Sequence, residues 1–286
     1  MAPKVWLVTG TSVGLGRAAI LHLLEKGDKV IATLRKPEAL ADVAAKYPAD
    51  QLLVVKLDVT SAADIQAAFA KGIEHFGRID VVYNNAGYGS LAEVEGTPDS
   101  VARGVFEVNF WGSANVSREA IRVFRDVNKP AGGRLIQASS MAGAQAMPGI
   151  GYYSASKYAI EGLTEALSKE LHPSWNIKVT IIEFGGFATR GTDTESLVIV
   201  PEHPAYKAPD SVTQFVRGFL AGPDVTKNAG DAAKAAREVR NIAYDDTVGL
   251  RVPLGLDSIG IVTSQVAAIQ KDVEAAGKWS GDLKQD

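Results

Sequence analysis

Cysteine is missing from all 286 residues, so disulfides, thiolate catalysis, cysteine-ligated zinc and iron–sulfur clusters are excluded, and the chain suits a reducing cytoplasm. Histidine is scarce. Its four copies, His22, His75, His172 and His203, stand far apart with no paired ligand spacing, and no metal is expected. An excess of one charge is lacking too: 30 basic and 33 acidic residues are scattered to a formal net −3, which advertises no surface for nucleic acid. No apolar run approaches the length that spans a bilayer. The opening Met-Ala-Pro-Lys leads straight into an apolar stretch rather than into a basic region and a signal-type segment. The expectation is a soluble, cytoplasmic protein that works without membrane or nucleic acid.

What is present is enough apolar material, 46% of residues, to fill one large core. Short apolar or β-branched runs predict strands over 5–8, 30–33, 52–57, 81–83, 134–138 and 179–182. Apolar residues at helical spacing predict helices over 15–26, 37–46, 62–76, 100–127 and 153–172. Nearly continuous apolar strands joined by helices form a parallel sheet covered on both faces, because right-handed crossovers place the helices there. The predicted fold is α/β, a doubly wound parallel sheet of Rossmann type, as a single domain over 1–286. The alternation stops near Phe184. From 185 to 230 the chain is rich in Gly, Pro, Thr and Asp, and it is expected to be a substrate-binding loop region, an excursion before the last strand. A helix over 231–242, a short run at 250–254 and an amphipathic helix over about 258–276 follow, and 277–286 is expected to be a loose tail.

Thr9-Gly10-Thr11-Ser12-Val13-Gly14-Leu15-Gly16 joins the first strand to the first helix. Glycines there let the backbone turn tightly and approach a pyrophosphate, while the helix N-terminus offers unpaired N–H groups and a partial positive charge. A glycine triplet alone also suits an ordinary strand-to-helix turn; its place at the first βα junction favours a dinucleotide. The second strand ends in Ile31-Ala32-Thr33-Leu34-Arg35-Lys36. No acid stands there to accept hydrogen bonds from an adenosine ribose, and Arg35 is a base able to pair with a 2′-phosphate, so NADP(H) is favoured. The competing reading is that Arg35 and Lys36 are solvated loop charges.

The order Thr-Gly-x-x-x-Gly-x-Gly, then Asn84-Asn85-Ala86-Gly87 after the fourth strand, Asn109 inside the next helix, and finally Ser140, Tyr153 and Lys157, resembles the short-chain dehydrogenase/reductase family. The likeness covers about residues 4 to 190 and, more loosely, the final strand and helix. It implies an NADP(H)-dependent oxidoreductase, of carbonyl reductase or alcohol dehydrogenase type, that moves a hydride between nicotinamide and a ketone or aldehyde or the corresponding alcohol. It implies a catalytic set of Asn109, Ser140, Tyr153 and Lys157. The implied cofactor-binding set is Gly10, Ser12, Gly14, Leu15, Gly16, Arg35, Asp58, Val59, Asn85, Ala86, Gly87, Tyr153, Lys157 and Thr189. In this likeness Tyr153 passes the proton, Lys157 holds the nicotinamide ribose, Ser140 bonds the substrate oxygen and Asn109 holds a water against Lys157. Family members often associate through the helices holding Asn109 and Tyr153, which implies a homodimer or homotetramer.

The spacing itself carries part of this. Tyr153 and Lys157, four apart, project from one helix face. A phenol of pKa ~10 must be lowered by up to ~3, worth ~4 kcal/mol, to relay protons near neutrality, and a neighbouring ammonium and an oxidised nicotinamide both favour the ionised form. Several positions keep two readings. Asp58 either meets adenine or caps the next helix, a place that Ser61 also fits; Asn85 and Gly87 either close over a ribose or stabilise a turn; Thr189 either meets the cofactor or caps a helix. Phe184 stands where the family has proline, which loosens the loop that follows. The substrate pocket is expected from 143–152 and from the stretch after Thr189, with Phe187, Tyr206, Phe215 and Phe219 as lining or as lid packing. Ser139 is expected to be a bystander, and Tyr152 to be part of the pocket wall. A non-catalytic NADP(H)-binding redox sensor is the competing function, and such relatives typically lose the Tyr and Lys pair that is present here.

Overall fold

A computed structural model describes residues 2–188, 196–222, 229–281 and 283. Seven strands form one sheet: β1 (Val5–Thr9), β2 (Lys29–Leu34), β3 (Leu52–Lys56), β4 (Val81–Asn84), β5 (Gly133–Ser140), β6 (Ile177–Phe184) and β7 (Arg251–Leu254). Their order is β7-β6-β5-β4-β1-β2-β3, and every adjacent pair is parallel. The winding reverses between β1 and β4, and in such sheets the crevice beyond the carboxyl ends at that reversal is where ligands sit. The helices are α1 (Gly14–Glu25), α2 (Ala62–Phe76), α3 (Asp99–Phe106), α4 (Ser113–Arg122), α5 (Gly151–Glu170), α6 (Val212–Ala221), α7 (Ala232–Tyr244) and α8 (Leu256–Ser280).

Strand alternation divides the interior in two. Trp6 and Val8 of β1 join Ile20, Leu23, Ala235 and Val239 of α1 and α7 on one face, whereas Val5 and Leu7 join Ile65, Phe69, Val116 and Ile121 of α2 and α4 on the other. Both faces of the sheet are thereby covered, as its near-continuous apolar strands require.

Three segments depart from the expected pattern. The stretch 100–127 is not one regular helix: α3 passes into a wider π-helical turn, Glu107–Gly112, before α4, and that turn holds the buried Asn109. The helix expected over 37–46 is only a 3₁₀ turn, Pro37–Leu40, and one α turn, Ala41–Ala44, because Leu40 and Val43 give it too short an apolar stripe to bury. The last helix runs to Ser280 and so takes in the beginning of the expected loose tail; its Ala, Gln, Lys and Glu residues sustain helix, although only Ser258 is buried. The excursion after Phe184 has structure of its own. Strand Leu197–Ile199 pairs in parallel with Gly89–Leu91, and α6 follows.

Candidate active site

The site begins where β1 ends. Gly10 turns with φ +70°, a region that side chains rarely adopt. A Cβ on Gly16 would fall 2.2 Å from the Gly10 carbonyl oxygen, so only glycine lets α1 start this close behind the loop. No side-chain cap takes up the first N–H groups of α1, and its first turn carries no acid, which leaves a positive helix end facing the crevice.

A second loop is stapled to the first. Thr9 Oγ1 accepts the N–H groups of Asn85 and Ala86, each at 2.9 Å, while Asn85 Nδ2 donates to the carbonyls of Thr9 at 2.9 Å and Gly10 at 3.3 Å. The side chain of Asn85 therefore holds the turn. The two readings of Asp58 separate in the same way. The cap of α2 is Ser61, which accepts from Asp64 N–H at 3.2 Å. Asp58 instead accepts from the N–H and hydroxyl of Thr60 at 3.0 and 2.8 Å. Burial works to raise its pKa, but those bonds and the Arg35 charge outweigh it and hold the carboxyl below its ordinary value.

Ser140 closes β5, and Tyr153 and Lys157 lie in the first two turns of α5. All three share a cleft of about 840 Å³ with Gly10, Ser12, Gly14, Leu15, Arg35, Asp58, Val59, Asn85, Ala86 and Gly87. Residues spread over more than half the chain thus line one wall. Burial pushes the Tyr153 phenol up, and its hydrogen bond with Ser140 only partly opposes this. That is the reverse of the lowering that a relay needs, and the geometry explains it: Lys157 Nζ is 5.8 Å from the Tyr153 ring centre and donates to the Ala138 carbonyl at 3.1 Å. Burial brings Lys157 down to about 8, with Glu161 opposing.

Two expected site residues act from behind the wall: Gly16 beneath the first loop, and Asn109. The Asn109 amide donates to the Tyr88 carbonyl at 2.9 Å and to Ser156 Oγ at 3.1 Å, and its Oδ1 accepts Tyr88 N–H at 3.0 Å. It ties the loop after β4 to α5. Thr189 lies outside the described residues.

Sequence reading missed Tyr88, Gly104, Glu107, Val108, Phe184, Ser196 and Val198, which also line the cleft. Tyr88 directly follows the Asn-Asn-Ala-Gly run, a signal that was available; Ser196 and Val198 lie in a segment without periodicity. Among the described residues, 143–152 does not line the cleft as expected. Met147 and Ile150 pack instead with Leu91, Ala142, Leu197, Val216 and Leu220 around the Tyr153 ring, an apolar flank to the reacting end. Of the four aromatics, Phe187 lines the cleft, Tyr206 donates to Glu95 at 3.0 Å, and Phe215 and Phe219 are exposed.

The segment bearing Ser196 and Val198 is fastened down by one ion pair. Arg217 of α6 donates to both oxygens of the buried Glu93, at 2.7 and 2.8 Å, and to the Val200 carbonyl at 3.0 Å. No helix is long and apolar enough to cross a membrane, and no group of side chains suited to a metal occurs, among the described residues.

Comparison with known proteins bears on the same region. The family model described as short chain dehydrogenase matches residues 4–197. An uncharacterised oxidoreductase of Schizosaccharomyces pombe is 35% identical over 280 residues, 98% of this chain and 91% of that protein. A short-chain dehydrogenase from Streptomyces avermitilis is 33% identical, with a TM-score of 0.87 over the whole of both chains. One from Burkholderia cenocepacia, solved in complex with NADP, is 25% identical with a TM-score of 0.71 over 96% of each chain.

Proposed function

This chain belongs to the short-chain dehydrogenase family of oxidoreductases, and on that premise we propose that it is an NADP(H)-dependent carbonyl reductase or alcohol dehydrogenase, with Tyr153 as acid and base. The observation that carries the reading is the meeting of Ser140, Tyr153 and Lys157 on one cleft wall with a glycine loop and an uncapped helix end. The residues fit a dinucleotide: the loop from Gly10 to Leu15 for the pyrophosphate, Arg35 for a 2′-phosphate, Asp58 and Val59 for adenine, Asn85 to Gly87 for the adenosine ribose, and Lys157 with Tyr153 for the nicotinamide ribose. The NADP in the Burkholderia cenocepacia relative supports the phosphate assignment. When bound, the cofactor supplies or accepts the hydride.

The remaining chemistry belongs to the chain. In reduction the Tyr153 O–H donates its proton to the carbonyl oxygen, and Ser140 donates a hydrogen bond to that same oxygen as charge builds on it. A phenol raised by burial stays protonated at neutral pH, which loads it for reduction; oxidation of an alcohol needs the phenolate and is favoured at higher pH. Lys157 holds its ribose hydroxyls as an ammonium, and Asn109 fixes the loop against which this arrangement rests. The apolar flank around Tyr153 favours a substrate whose carbonyl carries apolar substituents. Exposed Trp111, Tyr158 and Leu163, near or on the helices of Asn109 and Tyr153, support a homo-oligomer.

A panel of aldehydes and ketones is expected to consume NADPH faster than NADH at neutral pH, read from the nicotinamide absorbance; failure of every carbonyl with both cofactors overturns the reading. Arg35→Ser is expected to lower kcat/KM for NADPH roughly 10- to 100-fold and to leave NADH unchanged, since a hydrogen bond to a charged group contributes about 1.5–3 kcal/mol. An unchanged NADPH-to-NADH ratio returns Arg35 to the role of a solvated loop charge.

A further inference from the structure

Beneath Lys157 lies a second ionisable group that the proton relay does not use. Lys157 and Glu161 stand one turn apart on α5, and both are buried. Ser139 on β5 is in register with Glu183 on β6, and these are buried too. Ser139 Oγ donates to Glu161 Oε1 at 2.5 Å. Glu183 Oε2 is buried without a hydrogen-bond partner. The cation that faces them is Arg251 of β7, whose Nε is 3.6 Å from Glu161 and 3.5 Å from Glu183. Its closer engagement is with Glu165, at 2.7 Å, an acid that Lys169 also pairs at 2.6 Å.

A buried carboxylate oxygen that accepts no hydrogen bond is costly, and a proton on the group removes its charge. Two neighbouring buried carboxylates also repel, and the usual outcome is that one stays protonated. We propose that Glu161 and Glu183 share one proton at neutral pH, and that this acid–carboxylate pair positions Lys157 and keeps its ammonium charged while the relay works. The inference rests on the reading of Lys157 given above.

Burial, and then the charge of Glu161, push Glu183 up to about 7, with Arg251 opposing. Burial raises Glu161 as well, with Ser139 and Arg251 opposing, so both carboxyls are pushed towards the protonated form. The negative charge of Glu161 already raises Lys157. When Glu183 ionises, the pair passes from one negative charge to two, and Lys157 loses its own proton less readily than it otherwise would. The other groups facing the pair are accounted for: Tyr158, bonded to the Ala144 carbonyl, Glu165 with Lys169, and Ser258, whose hydroxyl bonds the Glu183 carbonyl at 2.6 Å.

Glu183→Gln keeps the shape of the side chain but fixes the pair at one negative charge. Three results are expected. The infrared carbonyl-stretch band of a protonated carboxylic acid is present in the wild type below neutrality, titrates away near the Glu183 pKa, and loses that component in the variant. The variant keeps the wild-type kcat/KM on the acid side of its pH profile, whereas its alkaline limb moves to lower pH. Glu183 protonates more readily folded than unfolded, so its contribution to stability falls as the pH rises from 4.5 to about 7. The melting temperature of Glu183→Gln therefore gains on the wild type across that window. A purely structural glutamate would lower activity evenly and move neither limb nor band. Absence of the wild-type band at mildly acid pH, or superimposable alkaline limbs, overturns the proposal. The infrared titration needs no variant and no turnover, so it decides the pair even if the Gln substitution fails to fold or the carbonyl panel fails.

Discussion

Tyr153→Phe is expected to lower kcat by about 10² to 10⁴, the usual contribution of a positioned acid or base. The dissociation constant for NADPH and the melting temperature should remain close to wild type. The separation is expected because phenylalanine keeps everything but the hydroxyl. The ring still packs against Leu91, Ala142 and Ile150, and the Lys157 ammonium still stands 5.8 Å from its centre. What disappears is the phenolic proton donor. Neighbouring Tyr152 offers no substitute, since it is absent from the cleft wall. Steady-state kinetics beside a fluorescence titration with NADPH makes the test, and a variant that turns over at the wild-type rate assigns the proton to another group.

Glu93→Ala is expected to release the segment that carries Ser196 and Val198. Glu93 is 3% exposed and Arg217 bonds both of its oxygens, so the substitution leaves a guanidinium largely buried without its carboxylate, which costs about 3–5 kcal/mol. Amide hydrogen exchange in α6 should accelerate, and KM for the carbonyl should rise more than kcat falls, because Tyr153 and Lys157 sit on a different element. The wild type should show the same loosening in acid. Arg217 holds Glu93 at about 2, below the ordinary 4.5, so the pair stabilises the docked segment fully above about 4.5 and is lost as the pH falls towards 2. Exchange in α6 that is indifferent to the substitution would show that the strand pairing of 197–199 with 89–91 suffices to hold the segment.

Much of the site was legible because its signals are local. The glycine loop declares itself where a strand meets a helix, and Tyr153 with Lys157 needs only four residues of helix to face one cleft. Other residues were legible in identity but not in action. Asn85 is a staple on Thr9 and Gly10, and Asn109 binds the Tyr88 backbone; neither partner follows from spacing. Ser139 seemed a bystander beside Ser140, since adjacent strand residues point opposite ways. It lines the same cleft as Ser140, and its hydroxyl bonds Glu161.

Chain order and periodicity by themselves determined the doubly wound sheet, the family and the residues gathered at the carboxyl ends of β1, β4 and β5, because each of those depends on backbone conformation over a few consecutive residues. Folding alone decided that Glu93 meets Arg217, 124 positions away, that Glu161 and Glu183 face the same Arg251, and that burial raises the Tyr153 phenol and lowers the Lys157 ammonium. Such partners are set by the order of strands in the sheet and by which faces pack, and the cost of holding charge away from water exists only once the surroundings have closed.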